Sequence, residues 1–294
     1  MVVLNTQSFD KMPLVAVLMT AYNRETFIAQ AIESVLHSTY KNFELIISDD
    51  ASTDTTVAIA NEYAAKDERI KVFVHEKNIG DYPNRNRAAA YAVGFYLMHV
   101  DSDDIIFKKS IQQCVELMQQ YPHVHFGTYY RDPASEPFVM KSKEALQRHF
   151  FDTPYLMIGP GGTIIKRSYF KEIGGFPEKY GPASDMYFNL KAVRYSDTLM
   201  IPWELFFLRR HDGQESHNSY SYLYNNYLYN KDSFNELQLP FDNKSIRRLH
   251  RKNKRRFLVN LIKFFIRTRD VSKTRYAIKQ ASFSVMDAVE AIFH

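Results

Sequence analysis

The sequence predicts an α/β fold: a mostly parallel central sheet flanked by helices, followed by a helical C-terminal extension. Three observations predict it. Apolar runs of strand length alternate with helically spaced apolar residues through the first hundred positions. Two of those runs end on carboxylates, at Asp49-Asp50 and at Asp101-Ser102-Asp103-Asp104. From Ser216 the pattern turns mostly helical, and past Asn243 it turns strongly basic.

Leu14 to Met19 is a continuous apolar run, as expected of a strand buried on both faces. Phe27, Ile28, Ala31, Ile32, Val35 and Leu36 then recur at helical spacing. Phe43 to Ser48 reads as the second strand, and Thr53 as the cap of a helix carrying Val57, Ile59, Ala60 and Tyr63. Ile70 to Val74 follows as a strand, Asn84 to Val93 as a helix and Phe95 to Val100 as a fourth strand. Such alternation implies βαβ units and a parallel sheet, whose ligands sit beyond the carboxyl ends of the strands. Both acidic runs lie at such ends, as does Thr20-Ala21-Tyr22-Asn23.

Residues 124–215 are less regular. Gly159-Pro160-Gly161-Gly162-Thr163 is a turn leading into Ile164-Ile165, Gly174-Gly175-Phe176-Pro177 stops a short helix, and Ala183 to Val193 reads as helical. Helices over Lys244 to Arg267 and from Ser272 close the chain. The expected boundary lies near Leu239-Pro240-Phe241-Asp242-Asn243, dividing the chain into 1–240 and 241–294.

A chain of 294 residues, nearly half of them hydrophobic, holds one large α/β domain with an appendage and excludes intrinsic disorder. Its single cysteine, Cys114, excludes an internal disulfide framework and a multi-cysteine zinc site, and reads as a buried small hydrophobe. No signal pattern opens the sequence, Leu14 to Met19 is too short to span a bilayer, and Phe257 to Ile266 is broken by Asn260 and Lys263. The expected location is cytoplasmic, or peripheral on the cytosolic face of a membrane. Residues 244–294 hold fourteen Lys and Arg against Asp270, Asp287 and Glu290, an excess of +11; against the whole-chain +5, residues 1–243 carry −6.

In an extended segment residues i and i+2 face the same way, so Asp101 and Asp103 would aim two carboxylates at one point. Hard oxygen ligands at that spacing suit Mn2+ or Mg2+, completed by substrate phosphates. The alternative is that Asp after a strand is turn chemistry. Two such ends in succession weigh toward a site.

Taken in order, Val17-Leu18-Met19-Thr20-Ala21-Tyr22-Asn23, Glu44 to Asp54, Asn78-Ile79-Gly80, Arg85-Asn86, Asp101-Ser102-Asp103-Asp104, Gly174-Gly175-Phe176, the Asp185 segment and Arg209 to Ser216 resemble family 2 glycosyltransferases of the GT-A fold. The resemblance covers residues 14–216. It implies inverting transfer of a sugar from a nucleotide diphosphate sugar, usually UDP-linked, to an acceptor hydroxyl on a glycan or lipid-linked carrier, as in polysaccharide synthesis. Thr20, Tyr22, Asn23 and Asp50 would then hold the nucleotide base, with Tyr22 stacking and Asp50 accepting from the imide. Asp103 would ligate the metal, and Asp101 the metal or the ribose, with Ser102 beside them. Asp104 would face away, toward a helix-capping role. Arg85, and Arg209, Arg210 or His211, would add positive charge at the diphosphate. A solvated helix arginine stays open for Arg85, and a turn residue for His211. Gly161-Gly162-Thr163 would let backbone approach the donor sugar, or form a plain turn.

Inversion needs a carboxylate to take the acceptor's proton. The resemblance implies an Asp at the start of a helix past the Gly-Gly-Phe turn, and the matching position is Asp185. Ser184 replaces the acidic residue common before it and could cap the helix; Asp185 could instead serve the helix dipole. A sugar nucleotidyltransferase would want a Gly-rich loop after the first strand, and a dehydrogenase Gly-x-Gly-x-x-Gly; Thr20-Ala21-Tyr22-Asn23-Arg24 is neither. An inactive nucleotide-sugar binder in a polysaccharide assembly is the remaining alternative.

The basic cluster from Lys244 to Arg256 beside Phe257 to Ile266 reads either as an interfacial helix drawn to anionic lipid or as a helix packed on the domain or on a second subunit. Nucleic acid is not expected, since no recognised motif accompanies the charge. Tyr220, Tyr222, Tyr224, Tyr227 and Tyr229 could stack on sugars, or pack a helix against the domain.

Overall fold

The computed structural model describes residues 12–132, 135–211 and 219–293. The first half follows the expected alternation: β1 (Val15–Ala21), α1 (Ile28–Leu36), β2 (Phe43–Asp49), α2 (Thr56–Ala64), β3 (Ile70–Val74), α3 (Asp81–Tyr91) and β4 (Tyr96–His99). Then come β5 (Ile105–Ile106), α4 (Ser110–Gln120), β6 (Phe126–Tyr129), β7 (Phe138–Met140), α5 (Ser142–Gln147), β8 (Thr163–Lys166), α6 (Arg167–Glu172), α7 (Ser184–Tyr195), β9 (Thr198–Ile201) and β10 (Phe206–Phe207). The C-terminal part is helical: α8 (Ser219–Glu236), α9 (Asn243–Thr268), α10 (Val271–Ala281) and α11 (Val285–Phe293).

One eight-stranded sheet runs β3-β2-β1-β4-β8-β6-β9-β7, and β5 pairs with β10 apart from it. Pairing is parallel from β3 through β4, whereas β8 inserts antiparallel to both β4 and β6. The sheet is therefore parallel in its first half and mixed in its second. Alternate residues of β1 feed two cores, Ala16 and Leu18 on one face and Val15, Val17 and Met19 on the other. That is why the run is apolar without a break.

Because β1 lies between β2 and β4, the chain leaves these three strands at one edge of the sheet. Ala21 is level with Asp49, and Leu18 with His99. The opposite edge is closed by Glu44, buried on β2, whose Oε1 accepts the N–H groups of Val93 and Gly94 at 2.7 and 2.8 Å. Gly94 leaves no room for a side chain, since a Cβ there would stand 2.4 Å from the Ala16 nitrogen. The crossover into β4 is held against the sheet by that close approach.

Some expectations need correction. Thr53 does not cap α2; Asp54 Oδ1 accepts the Thr56 N–H at 2.9 Å, and Thr53 donates its own N–H to Asn23. The helix expected from Asn84 begins at Asp81, and the last helix is two, broken where Ser282 turns left-handed at φ 47°. Cys114 is fully buried, as expected.

The C-terminal helices pack onto the α/β body. On α8, Asp232 accepts from the Tyr180 hydroxyl and Glu236 from Tyr187. Leu249 of α9 joins the core that holds Phe188, while Phe257 and Leu261 form a separate cluster with Tyr227, Ala277 and Phe283. The α8 tyrosines serve this packing: Tyr227 lies 4.8 Å from the Phe257 ring, and Tyr220 lies 5.3 Å from Phe264.

Candidate active site

The end of β1 supplies Thr20, buried, and Tyr22, whose ring is 45 % exposed at the sheet edge. Asn23 follows with a left-handed backbone (φ 52°), a conformation Asn tolerates better than most residues. Its Oδ1 accepts the Thr53 N–H at 2.9 Å, and its backbone N–H donates to Ser52 Oγ at 2.8 Å, so the residue helps to hold the loop after β2. Asp50 is buried beyond β2, and its two carboxylate oxygens accept the N–H groups of Ile79 and Gly80 at 2.7 and 2.9 Å. It thus anchors the loop that opens α3, and each oxygen keeps a second lone pair.

The acidic run after β4 is not extended. The Asp104 N–H donates to the Asp101 carbonyl at 2.9 Å, closing a turn, so Asp101 and Asp103 do not aim at one point. Asp101 faces α3 and meets Arg85 Nη1 at 2.7 Å, while Arg85 Nε lies 2.9 Å from Asp81. Arg85 is buried, which removes the solvated-arginine reading. Burial opposes the Asp101 charge, but the Arg85 guanidinium outweighs it and holds that carboxyl below the usual range. Ser102 is turned inward and buried.

Asp103 faces the other way. Its Oδ2 takes Arg24 Nε at 3.1 Å and His211 Nε2 at 3.0 Å. The His211 ring stacks on Phe27 with centroids 4.5 Å apart, so it is not a plain turn residue. Asp104 caps no helix. It is buried and accepts the Arg209 N–H at 3.0 Å, tying the acidic turn to the segment that carries His211. Residues 212–216 of that motif lie outside the described residues.

Asp185 stands in the first turn of α7 with Oδ1 accepting the Met186 N–H at 2.7 Å. Burial pushes its carboxyl up to about 7, against the lowering pull of that N–H, of Arg85 and of the Tyr82 hydroxyl. Desolvation outweighs the helix-dipole effect here. Ser184 does not cap the helix; Ala183 holds that position, and Ser184 Oγ is buried with no partner among the described residues. The glycine loop serves packing. A Cβ on Gly162 would meet Ile158 at 2.4 Å, one on Gly161 would meet the Phe206 ring at 3.3 Å, and one on Gly159 would lie 4.0 Å from Asp185 Oδ2.

The structure therefore forms two linked groups: Asp81, Tyr82, Arg85, Asp101 and Asp185 on one side, and Arg24, Asp103 and His211 on the other. Sequence reasoning missed Asp81, Tyr82 and Arg24. The Asp81–Arg85 spacing of four on a helix was the available signal for the first. Among the described residues no three His, Cys, Asp or Glu side chains converge as a metal cage. The Asp103 carboxylate is a hard oxygen donor that suits Mn2+ or Mg2+, with phosphate oxygens and water completing the shell. The His211 nitrogen hydrogen-bonded beside it could join only as a ligand to Mn2+, the softer of the two.

A sequence model described as Glycosyl transferase family 2 matches residues 16–174. TuaG of Bacillus subtilis (strain 168), named for teichuronic acid biosynthesis, is 39% identical over 108 residues, covering 37% of this chain and 43% of TuaG. The chain's matches to its curated relatives span less than half of those proteins' length. Among solved structures, S. aureus TarS 1-349 in complex with UDP-GlcNAc superposes with a TM-score of 0.69 at 18% identity, covering 92% of this chain and 79% of that one. The mannosyltransferase PcManGT of Pyrobaculum calidifontis, in complex with GDP-Man and Mn2+, superposes at 0.65 with 14% identity, covering 97% and 88%. The architecture is of the GT-A type, with a helical C-terminal part.

Proposed function

The chain belongs to glycosyl transferase family 2, and we propose that it moves a sugar with inversion from a UDP-linked donor to an acceptor hydroxyl in the synthesis of a cell-surface polysaccharide. The observation that carries this reading is Asp185. A buried carboxyl pushed up to about 7, reached by the Tyr82 hydroxyl and lying in the field of Arg85, is tuned for proton transfer near neutral pH. TarS with UDP-GlcNAc, and the TuaG name, support the donor class and the setting.

Tyr22 offers an exposed ring for the base, and the remaining lone pairs of Asp50 can accept from it. Asp103 would hold a divalent cation, Mg2+ or, with His211 as a further ligand, Mn2+, which supplies charge neutralisation at the diphosphate. Asp101 fixes Arg85 in the same crevice, adding a second positive group. Asp185 takes the proton of the acceptor hydroxyl as that oxygen bonds to the anomeric carbon. The bond from that carbon to the diphosphate breaks, and its electron pair leaves with the nucleoside diphosphate. Residues 1–240 form the catalytic part in this proposal, with 241–294 as an extension that meets an anionic membrane surface.

Asp185→Asn keeps the shape and removes the base. Transfer is expected to fall at least a thousandfold, about 4 kcal/mol of barrier, while donor binding stays within threefold of wild type. Wild-type turnover by this variant, measured with purified nucleotide sugar and Mn2+, would sink the assignment. An inactive nucleotide-sugar binder would show neither transfer nor donor hydrolysis in the wild type.

A further inference from the structure

A cavity of about 70 Å³ lies where the segment 149–157 meets α8 and α9, apart from the crevice at the strand ends. None of its lining residues is acidic, and two are basic: Lys252 and Arg256, one helical turn apart on α9. Their field is felt by the neighbouring His149. Burial, then Arg256 and Lys252, push its imidazole down to about 3. His149 Nδ1 accepts the Leu156 N–H at 3.1 Å, which leaves the ring's proton on Nε2. Asn253 also lines the cavity. It is 5 % exposed, its Nδ2 donates to the Tyr227 carbonyl, and its Oδ1 has no partner. That oxygen can only accept, so its partner would be a water or a hydroxyl beside a bound group, not an anion itself.

Two connections join this cavity to Asp185. Asn189, one turn further along α7, donates to the carbonyls of Leu156 and Ile158 and so fixes the cavity's wall at Met157. Two residues past Met157, Gly159 faces Asp185 Oδ2. One short segment of chain therefore carries both the cavity wall and a neighbour of the base. Tyr229, in the opposite wall, meets the Arg256 side chain and lies in the field of Asp185.

We propose that this cavity binds an anionic oxyacid group of the acceptor, a carboxylate or a phosphoryl, with Lys252 and Arg256 as its recognition pair. The volume suits one such group and not a whole sugar ring, because about 70 Å³ is the space of a few waters. An arginine fork and a lysine point charge are the usual partners of these anions. The proposal rests on the glycosyltransferase reading for the role of Asp185, and it turns that reading's unnamed acceptor into an acidic one.

The test uses the full chain with D-glucuronate, inorganic phosphate and D-glucose as probes, titrated by ligand-observed NMR with UDP and Mn2+ saturating the donor crevice. At least one of the two anions is expected to bind tenfold or more tighter than glucose. The Lys252→Gln/Arg256→Gln double variant should lose that preference while binding UDP as the wild type does. Lys244→Gln/Arg248→Gln removes equal charge from α9 outside the cavity and should leave the preference intact. Tighter glucuronate assigns a carboxylate, and tighter phosphate a phosphoryl group. Equal binding of all three probes overturns the proposal, as does equal loss in both double variants, which would mean bulk charge alone. If UDP fails to bind, the donor reading fails separately, and the anion titrations without UDP still decide the cavity.

Discussion

Asp185 carries a penalty that makes its role measurable in two independent ways. Its folded-state carboxyl is raised to about 7, above the ordinary carboxylate value, by burial first. A raised folded value means that stability is fullest below pH 4 and is lost as pH climbs from about 4 to about 7, where the folded state alone keeps the proton. Every tenfold difference in proton affinity between the folded and unfolded chain corresponds to about 1.4 kcal/mol, so the loss at pH 8 is on the order of 2–4 kcal/mol. Asp185→Asn, which keeps an acceptor for the Met186 N–H, should therefore melt several degrees higher than wild type at pH 8 and at the same temperature at pH 4. For wild-type transfer, kcat/KM should rise with pH and reach half its plateau near 7, since the base must be deprotonated. A flat profile from pH 5.5 to 8.5, or a destabilised variant at pH 8, would remove Asp185 from this role. The resemblance to the family points to Asp185, and its place at the start of a helix after the Gly-Gly-Phe turn is as expected. Its tuning is not legible in the sequence, because that depends first on burial by the folded chain, with Arg85 and Tyr82, about a hundred residues earlier on α3, pulling the other way.

At the scale of elements, the acidic turn after β4 and the segment from Arg209 to His211 act as one unit, joined by the Asp104 carboxylate on the Arg209 N–H at 3.0 Å. Alternating periodicity could place both pieces at strand ends. It could not show that Asp101-Ser102-Asp103-Asp104 curls into a turn, because a turn and an extended tail share the same residue types. The same limit hid β6, β7 and β9: strands of three or four residues, paired across long sequence separations, carry too few apolar positions to stand out. Of the four strands with regular helices between them, β1, β2 and β4 were readable because both of their faces are buried, and the edge strand β3 because all its residues but Lys71 are apolar. Asp104→Ala removes the hook while leaving Asp103 and His211 in the sequence. Mn2+ activation should then need at least tenfold more metal, with kcat largely regained at saturation and the melting temperature lowered by a few degrees. Unchanged Mn2+ dependence would show that the segment is held in place without Asp104. Loss of kcat that metal cannot restore would place Asp104 in the chemistry itself.

Across the whole molecule, positive charge is sorted to the C-terminal end, where exposed apolar residues accompany it. Residues 244–294 carry an excess of +11 and the rest −6, so an anionic surface attracts the tail and repels the body, which fixes an orientation. One stripe of α9, through Leu249, Asn253, Phe257 and Leu261, is used up in packing on the chain. Another stays in solvent: Ile262 and Ile266 on α9, with Val285, Met286, Ile292 and Phe293 on α11, the last two 64% and 73% exposed. Among the described residues no helix is long and apolar enough to cross a bilayer. The basic and exposed apolar side chains of the extension are proposed to lie on an anionic membrane surface. Basic side chains near anionic lipid contribute about 1 kcal/mol each, and the exposed apolar residues add to that by burial in the headgroup layer. The chain should therefore sediment with phosphatidylserine vesicles at low salt, be released by about 0.5 M NaCl, and ignore phosphatidylcholine. Ile292→Ser/Phe293→Ser should weaken binding severalfold without changing the salt response, because the electrostatic part is intact. A chain that stays in the supernatant with phosphatidylserine at low salt has no such surface, and a concentration-dependent dimer in that experiment would mean that the exposed stripe is covered by a second copy instead.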